Sequence, residues 1–311
     1  MEKIVECIPN FSEGRDQARL DQILAEIKSA GVELLDQEKD ADHNRAVVTF
    51  VGEPEAVLEA AFRGIKKASE LIDLTKHKGE HPRMGATDVV PFVPISNVTT
   101  RECVEMAKRL GKRVAEELKI PVYLYEAAAT RPDRQNLAAI RKGEFEGLRD
   151  EIETNPERRP NFGEPKLHPT AGATVIGARF PLIAFNINLN TTDVSIAQKI
   201  AKAIRFGSGG YRYTKSLGFM LKEENRAQIS CNMTNYTKTP LHRVFETVKR
   251  EAERYGISIK ESEIVGLVPE KALIDTAIYY LQLDRFTEDQ ILEYKLHGKG
   301  SKQSIMDFLH V

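Results

Sequence analysis

The sequence predicts an α+β protein built from two βαββαβ units, packed sheet to sheet with their helices outside. Three observations lead there. The chain has 311 residues, more than a single core of about 100 to 200 residues accommodates. Its apolar periodicities run strand, helix, strand, strand, helix, strand up to residue 95, and the same order returns after residue 181. A sheet with helices on one face also leaves its other face to be covered, and two such faces can cover each other.

The elements follow in chain order. Residues 3–9 read as a strand, and Asn10-Phe11-Ser12-Glu13-Gly14 as the turn after it. Leu20, Ile23, Leu24 and Ile27 recur at helical spacing, which predicts a helix over residues 16–30 ended by Gly31. Residues 32–37 and 45–52 are strands, the second rich in β-branched and aromatic side chains. Pro54 suits a first helical turn, and Val57, Leu58, Ala61, Phe62, Ile65 and Ala68 mark the apolar face of a helix reaching Ile72. A strand over residues 88–95 completes the split βαβ, ferredoxin-like order. A helix over residues 101–118 and a strand over 122–125 extend it.

Between Ala127 and Ala171 the pattern decays into short helical pieces punctuated by Pro132, Pro156 and Pro160. Irregular stretches of this length often line binding sites. The second unit then supplies strand 182–188, helix 193–204, strands 217–221 and 228–233 about the turn Glu223-Glu224-Asn225, helix 240–255 and strand 257–265. Residues 287–311 read as a helix ending at Gly298 and a polar appendage. The subdomains are therefore expected at 1–178 and 179–311, with the repeat lying in element order rather than in residues.

Composition removes several function classes. Lys and Arg total 45 against 46 Asp and Glu, so the global basic excess of a nucleic-acid binder is missing. No run approaches the roughly 20 apolar residues of a membrane span, and the charged start Met1-Glu2-Lys3 lacks a signal peptide's apolar region. Cys7, Cys103 and Cys231 are odd in number and far apart, which argues for buried thiols rather than disulfides. A cytoplasmic protein without nucleic-acid or membrane partners is expected.

The segment from His77 to Asp88 is the least explicable as plain scaffold. It sets two histidines, charged pairs, Pro82 and two glycines between an amphipathic helix and an apolar strand. Histidine, with an ordinary pKa of about 6.5, moves protons in both directions near neutrality, and Gly79 and Pro82 bend and stiffen the loop around His81. His77-Lys78-Gly79-Glu80-His81 also matches the H-x-x-E-H zinc pattern. That chemistry needs both histidines on one helical face, and Gly79 with Pro82 disfavours a helix. No metal is expected.

Four other regions carry polar function or plain structure. Asn44 and Arg45, at a strand entrance, suit hydrogen bonds to a polar ligand, whereas Lys39, Asp40 and Asp42 read as a solvated loop. Phe162-Gly163-Glu164-Pro165-Lys166-Leu167-His168-Pro169-Thr170-Ala171 is a rigid loop whose aromatic and cation suit a flat, anionic ligand. Gly207-Ser208-Gly209-Gly210-Tyr211 follows a helix, so it reads as a helix end rather than a phosphate cradle. Asn186, Asn188 and Asn190 alternate along a strand and either align amides on one side or satisfy the strand's exit.

These residues resemble the glutamate formimidoyltransferase family. The similarity lies in Val5 to Gly14, Asn44-Arg45, Thr49 to Gly52, Gly79 to Asp88 with Pro91-Phe92, Pro160 to Gly163, Gly172-Ala173-Thr174 and Ile183 to Leu189, and runs from about residue 3 to about residue 297. The resemblance implies transfer of a formimidoyl group from N-formimidoylglutamate to N5 of tetrahydrofolate, in histidine degradation and one-carbon metabolism. It implies tetrahydrofolate as co-substrate, no metal, and a homodimer. The family's catalytic histidine falls on His81 and its folate loop on Phe162 to Ala171, where Lys166, Leu167, His168 and Ala171 depart from the animal version. The animal enzyme is fused to a cyclodeaminase; this chain is expected to stand alone, and the sequence leaves open whether a separate cyclodeaminase accepts its product. Arg45, Arg83, Lys166 and Arg179 are the cations expected for the glutamate carboxylates, and Glu38 or Asp36 is a guess for orienting His81. A formyltransferase between 5-formyltetrahydrofolate and glutamate, a non-catalytic folate binder and a zinc hydrolase are the rival readings.

Overall fold

The computed structural model describes residues 2–221 and 224–297. Glu223 of the expected turn, and Gly298 with the appendage to Val311, lie outside the described residues. The chain divides between Pro181 and Leu182 into two units.

In the first unit Pro9 interrupts the opening strand, giving β1 (Ile4–Cys7) and β2 (Asn10–Phe11), so the first two residues of the expected turn are strand. Helix α1 (Gln17–Lys28) starts on Asp16, whose carboxylate accepts from the Arg19 N–H. Strands β3 (Glu33–Asp40) and β4 (Arg45–Gly52) form a hairpin, β3 running three residues beyond the expected end. Helix α2 (Pro54–Leu71) begins at its proline and buries the predicted stripe. Strand β5 (Thr87–Ser96) is followed by α3 (Thr100–Leu118), which opens on a capping box between Thr99 and Glu102. Strand β6 (Val122–Glu126) leads to the short helices α4 (Leu137–Ile140) and α5 (Glu144–Glu151), then to β7 (Thr174–Ala178).

The sheet order is β3-β4, then β1 and β2 in line, then β5, β7 and β6. Strands β3, β4, β1 and β5 make the antiparallel ferredoxin-like set; β7 and β6 extend it in parallel. Strand β7 was not anticipated. Its residues are all buried, so it shows no alternation, and it pairs with partners distant in sequence. The main core lies between one face of this sheet and α1, α2 and α3, with Val5, Cys7, Ala46, Val48, Phe50, Val90 and Phe92 contributed by the strands. A smaller cluster of Met84, Val89, Tyr123, Tyr125 and Val175 with Ile140, Leu148 and Ile152 covers part of the other face.

The second unit contains β8 (Ile183–Leu189), α6 (Val194–Ile204), β9 (Thr214–Leu221), β10 (Arg226–Met233), α7 (Leu241–Glu253) and β11 (Ile259–Val265). Its antiparallel sheet runs β11-β8-β10-β9, the same ferredoxin-like order as in the first unit. Helices α8 (Glu270–Leu281) and α9 (Leu292–His297) follow. No helix among the described residues is long and apolar enough to cross a membrane. Cys7, Cys103 and Cys231 are free and buried.

Candidate active site

Four segments singled out by sequence meet at one end of the first unit's sheet, joined by backbone hydrogen bonds. Ser12 donates from its N–H to Ala86 O (2.9 Å) and from its hydroxyl to Gly85 O (2.7 Å). The loop between α2 and β5 is tied to the β3–β4 hairpin by Glu80 N–H to Asp42 O (3.1 Å) and His81 N–H to His43 O (3.4 Å). It is tied to the 162–173 segment by Leu74 N–H to Thr170 O (2.8 Å), Ala86 N–H to Ala171 O (2.9 Å) and Ala173 N–H to Met84 O (2.9 Å).

Asn44 is the knot. It is buried at a left-handed φ of 49°, a conformation asparagine tolerates better than most residues. Its Oδ1 accepts from Gly14 N–H (2.9 Å), and its Nδ2 donates to Lys78 O (3.1 Å). Gly79 lies so close to the hairpin that a Cβ would sit 2.3 Å from His43 O. Any side chain there would push His81 off the hairpin.

His77 is committed on both nitrogens. Arg83 Nε donates to Nδ1 (3.3 Å), so Nε2 carries the hydrogen and donates to Asn44 O (2.9 Å). Burial lowers its pKa from the ordinary value. The H-x-x-E-H match lies in a loop rather than a helix.

His81 is half-buried, and its pKa drops to about 2, first through burial and then through the positive field of Arg141 and Arg45, with smaller effects from His43 and His77. These leading neighbours are cations and imidazoles, not the carboxylate guessed from the sequence. Glu38 acts instead on Arg45, and Asp36 accepts from the Gln37 N–H.

Arg45 forms no ion pair within 4 Å among the described residues; its Nη1 reaches Asn10 Oδ1 at 3.4 Å, and its buried Nε is unpartnered. Arg141, just past α4, is paired with the buried Asp88, whose other oxygen accepts from Met84 N–H (2.8 Å). Arg158 clamps the backbone on both sides of Arg141, at Ile140 O (3.1 Å) and Lys142 O (2.9 Å). Arg141 carried no sequence signal: it sits in the decaying stretch without a motif.

Two of the predicted ligands make scaffold contacts. Arg83 is buried, with Glu146 (2.7 and 2.8 Å) and Glu144 (2.8 Å) on its guanidinium. Phe162 packs on α3, where a Cβ on Gly111 would come within 2.9 Å of its ring, rather than standing free for a flat ligand. Arg179 lies at the far end of β7, its N–H bound to Phe92 O (3.0 Å). At about 3.3 Å per residue that is roughly 20 Å along the sheet from the His81 loop. Its charge acts on Glu6 and Tyr125.

The remainder of the second loop is anchored at its ends and exposed in the middle. Gly163, Glu164, Pro165, Lys166 and Pro169 are exposed, and Leu167 packs on the core. His168 Nδ1 accepts from Ala171 N–H (3.0 Å), which leaves Nε2 as the hydrogen-bearing nitrogen. In the second unit, Asn186 and Asn188 share a strand face and donate to Glu263 (3.0 Å) and Glu261 (3.4 Å), whereas Asn190 is exposed. Gly209, at φ 93°, ends the turn after α6 as a helix terminus should.

Comparison with known proteins gives a consistent match. The model of the formiminotransferase domain's N-terminal subdomain matches residues 4–179, and that of the formiminotransferase domain matches residues 184–297. The chain is similar to the glutamate formimidoyltransferase of Streptococcus pyogenes serotype M1, 56% identical over 96% of this chain and 100% of that one. It is 55% identical to the glutamate formimidoyltransferase of Thermoplasma acidophilum, over 96% of this chain and 99% of that one. The formimidoyltransferase-cyclodeaminase of Mus musculus is 43% identical over 99% of this chain, which spans 62% of that longer protein. The chain belongs to the formiminotransferase family.

Proposed function

We infer that this chain transfers the formimidoyl group of N-formimidoyl-L-glutamate to N5 of tetrahydrofolate, giving 5-formimidoyltetrahydrofolate and L-glutamate. It is a one-carbon group transferase of histidine degradation, and tetrahydrofolate is its co-substrate. The relatives at 55% and 56% identity support the reaction. The observation that carries the site is His81, backbone-tied to the hairpin and neutral, beside Arg141, paired with Asp88, and Arg45, which has no ion pair within 4 Å among the described residues.

N5 attacks the amidine carbon of the donor to give a tetrahedral intermediate. N5 must then lose a proton, and the glutamate nitrogen must gain one before its bond to that carbon breaks. His81, in reach of both nitrogens, takes the first proton and delivers it to the second, worth roughly 100-fold to 10,000-fold in rate. Holding donor and acceptor together supplies a larger factor. The exposed middle of the 162–171 loop is the folate contact, with Lys166 facing its anionic tail. Asn44 acts by holding the His81 loop, not by touching substrate.

The nearest rival moves a formyl group between 5-formyltetrahydrofolate and glutamate, through the same nitrogens. Purified protein given either formimidoylglutamate with tetrahydrofolate or glutamate with 5-formyltetrahydrofolate separates the two by product mass. Turnover of the second pair alone would replace the reading, and turnover of neither would end it. The protein acts in the cytoplasm, in keeping with its three buried free thiols, and works as a homodimer. Exposed Leu217 and Phe219 on β9 and Tyr280 and Leu281 on α8 supply apolar surface for that pairing, which light scattering tests. A separate cyclodeaminase takes the product.

A further inference from the structure

Arg45 and Arg141 set two guanidiniums beside His81. Both act on His81; Asp40 and Glu38 act on Arg45 from beyond ion-pair distance, and Asp88 is the one carboxylate in salt-bridge contact with either among the described residues. Asp88 is 1% exposed and Arg141 14% exposed, so water does little to screen that pair. Both arginines also hold a buried Nε–H with no acceptor. A buried donor without a partner is costly, and an uncompensated buried cation more so, unless a ligand completes it. The missing group is an anion with more than one acceptor oxygen, which is what a carboxylate offers a guanidinium.

We propose that Arg141, together with Arg45, seats the α-carboxylate of the formimidoylglutamate donor. This rests on the reaction proposed above. The choice among carboxylates follows from connectivity. His81 must reach the glutamate nitrogen, and the α-carboxylate carbon is two covalent bonds from that nitrogen. The donor's side-chain carboxylate is farther away, and the folate tail is separated from N5 by the aminobenzoyl ring. Only the α-carboxylate is held near the reacting nitrogen by the donor's own structure. Its arrival also offsets the two guanidiniums that, with His43 and His77, press on His81. The imidazole therefore becomes a better base when donor is bound than when the site is empty.

The test compares formimidoylglutamate with its decarboxylated analogue, 4-(formimidoylamino)butyrate. The wild-type protein should prefer formimidoylglutamate by roughly 100-fold in kcat/KM, the scale of charged hydrogen bonds to a carboxylate. Arg141→Met should bring that ratio to within about 3-fold, with KM for tetrahydrofolate unchanged, and Arg141→Lys should retain part of it. A purely structural Arg141 would slow both donors equally and leave the ratio intact, which would overturn the proposal. So would a wild-type ratio near one. Should Arg141→Met fail to fold with Asp88 left unpaired, the double variant Asp88→Asn/Arg141→Met provides the comparison. Calorimetric binding of L-glutamate against 4-aminobutyrate makes the same comparison without turnover. If the wild-type protein prefers L-glutamate there but turns over no donor, the reaction is wrong and the seat stands; equal binding of both amines removes the seat.

Discussion

Replacing Asn44 with alanine tests whether one buried side chain holds the His81 loop in place. The change removes two hydrogen bonds, from Gly14 N–H at 2.9 Å and to Lys78 O at 3.1 Å. Each contributes about 1 kcal/mol net, and more if its abandoned partner stays dry. The left-handed φ of 49° adds about 1 kcal/mol for a residue that, unlike asparagine, has no polar side chain to support it. The expected loss is about 3 kcal/mol, a large fraction of the roughly 5 to 15 kcal/mol available to a domain. Urea unfolding followed by circular dichroism gives the free energy, and amide exchange at Gly14 and His81 gives the local effect. Asn44→Gly should recover about 1 kcal/mol, because glycine accepts the φ but makes neither bond. A loss under about 0.5 kcal/mol in Asn44→Ala, with Gly14 and His81 still protected, would refute the reasoning.

Three more predictions concern the same loop. His81→Ala should lower kcat by about 100-fold to 10,000-fold while tetrahydrofolate affinity changes little; wild-type turnover would remove His81 from the chemistry. Gly79→Ala should reduce turnover sharply with a smaller loss of global stability, since the new Cβ would meet His43 O at 2.3 Å; unchanged kcat would show that the hairpin contact does not position His81. The free-enzyme pKa of His81 is about 2, below the ordinary 6.5, so under pH 6.5 the unfolded chain takes up a proton that the folded chain refuses. Its contribution to stability is complete above about pH 6.5 and is lost as pH falls toward 2. Between pH 6 and 5 the wild-type protein should therefore lose up to about 1.4 kcal/mol per pH unit more than His81→Ala, and parallel curves would contradict the assignment.

What was legible in the sequence was what local chemistry dictates. Strand β4 was read to the residue because β-branched side chains fill it, and α2 because Pro54 opens it and an apolar stripe runs along it. Strand β7 was missed because Gly172-Ala173-Thr174 reads as loop and its pairing partners are distant in the chain. Helix α8 gave no stripe, having Ala272 as its one buried residue. The site divided along the same line. The loops were identifiable from their glycines, prolines and histidines. The fates of particular side chains were not, because Arg83 is claimed by Glu144 and Glu146 some 60 residues later, and Phe162 packs beside Gly111 about 50 residues earlier. Arg141 was invisible for the same reason: its importance comes from Asp88 and His81, not from its neighbours in sequence.

In the proposed reaction the formimidoyl carbon moves from glutamate to N5 of tetrahydrofolate while His81 carries a proton between the two nitrogens. Formimidoylglutamate labelled with 13C at that carbon, mixed with tetrahydrofolate and the wild-type protein in an NMR tube, follows the atom itself. That reaction requires the label's resonance to leave the glutamate adduct and reappear bonded to N5, at a rate His81→Ala lowers by at least about 100-fold. A label that stays on glutamate, or moves equally fast in both proteins, would contradict it.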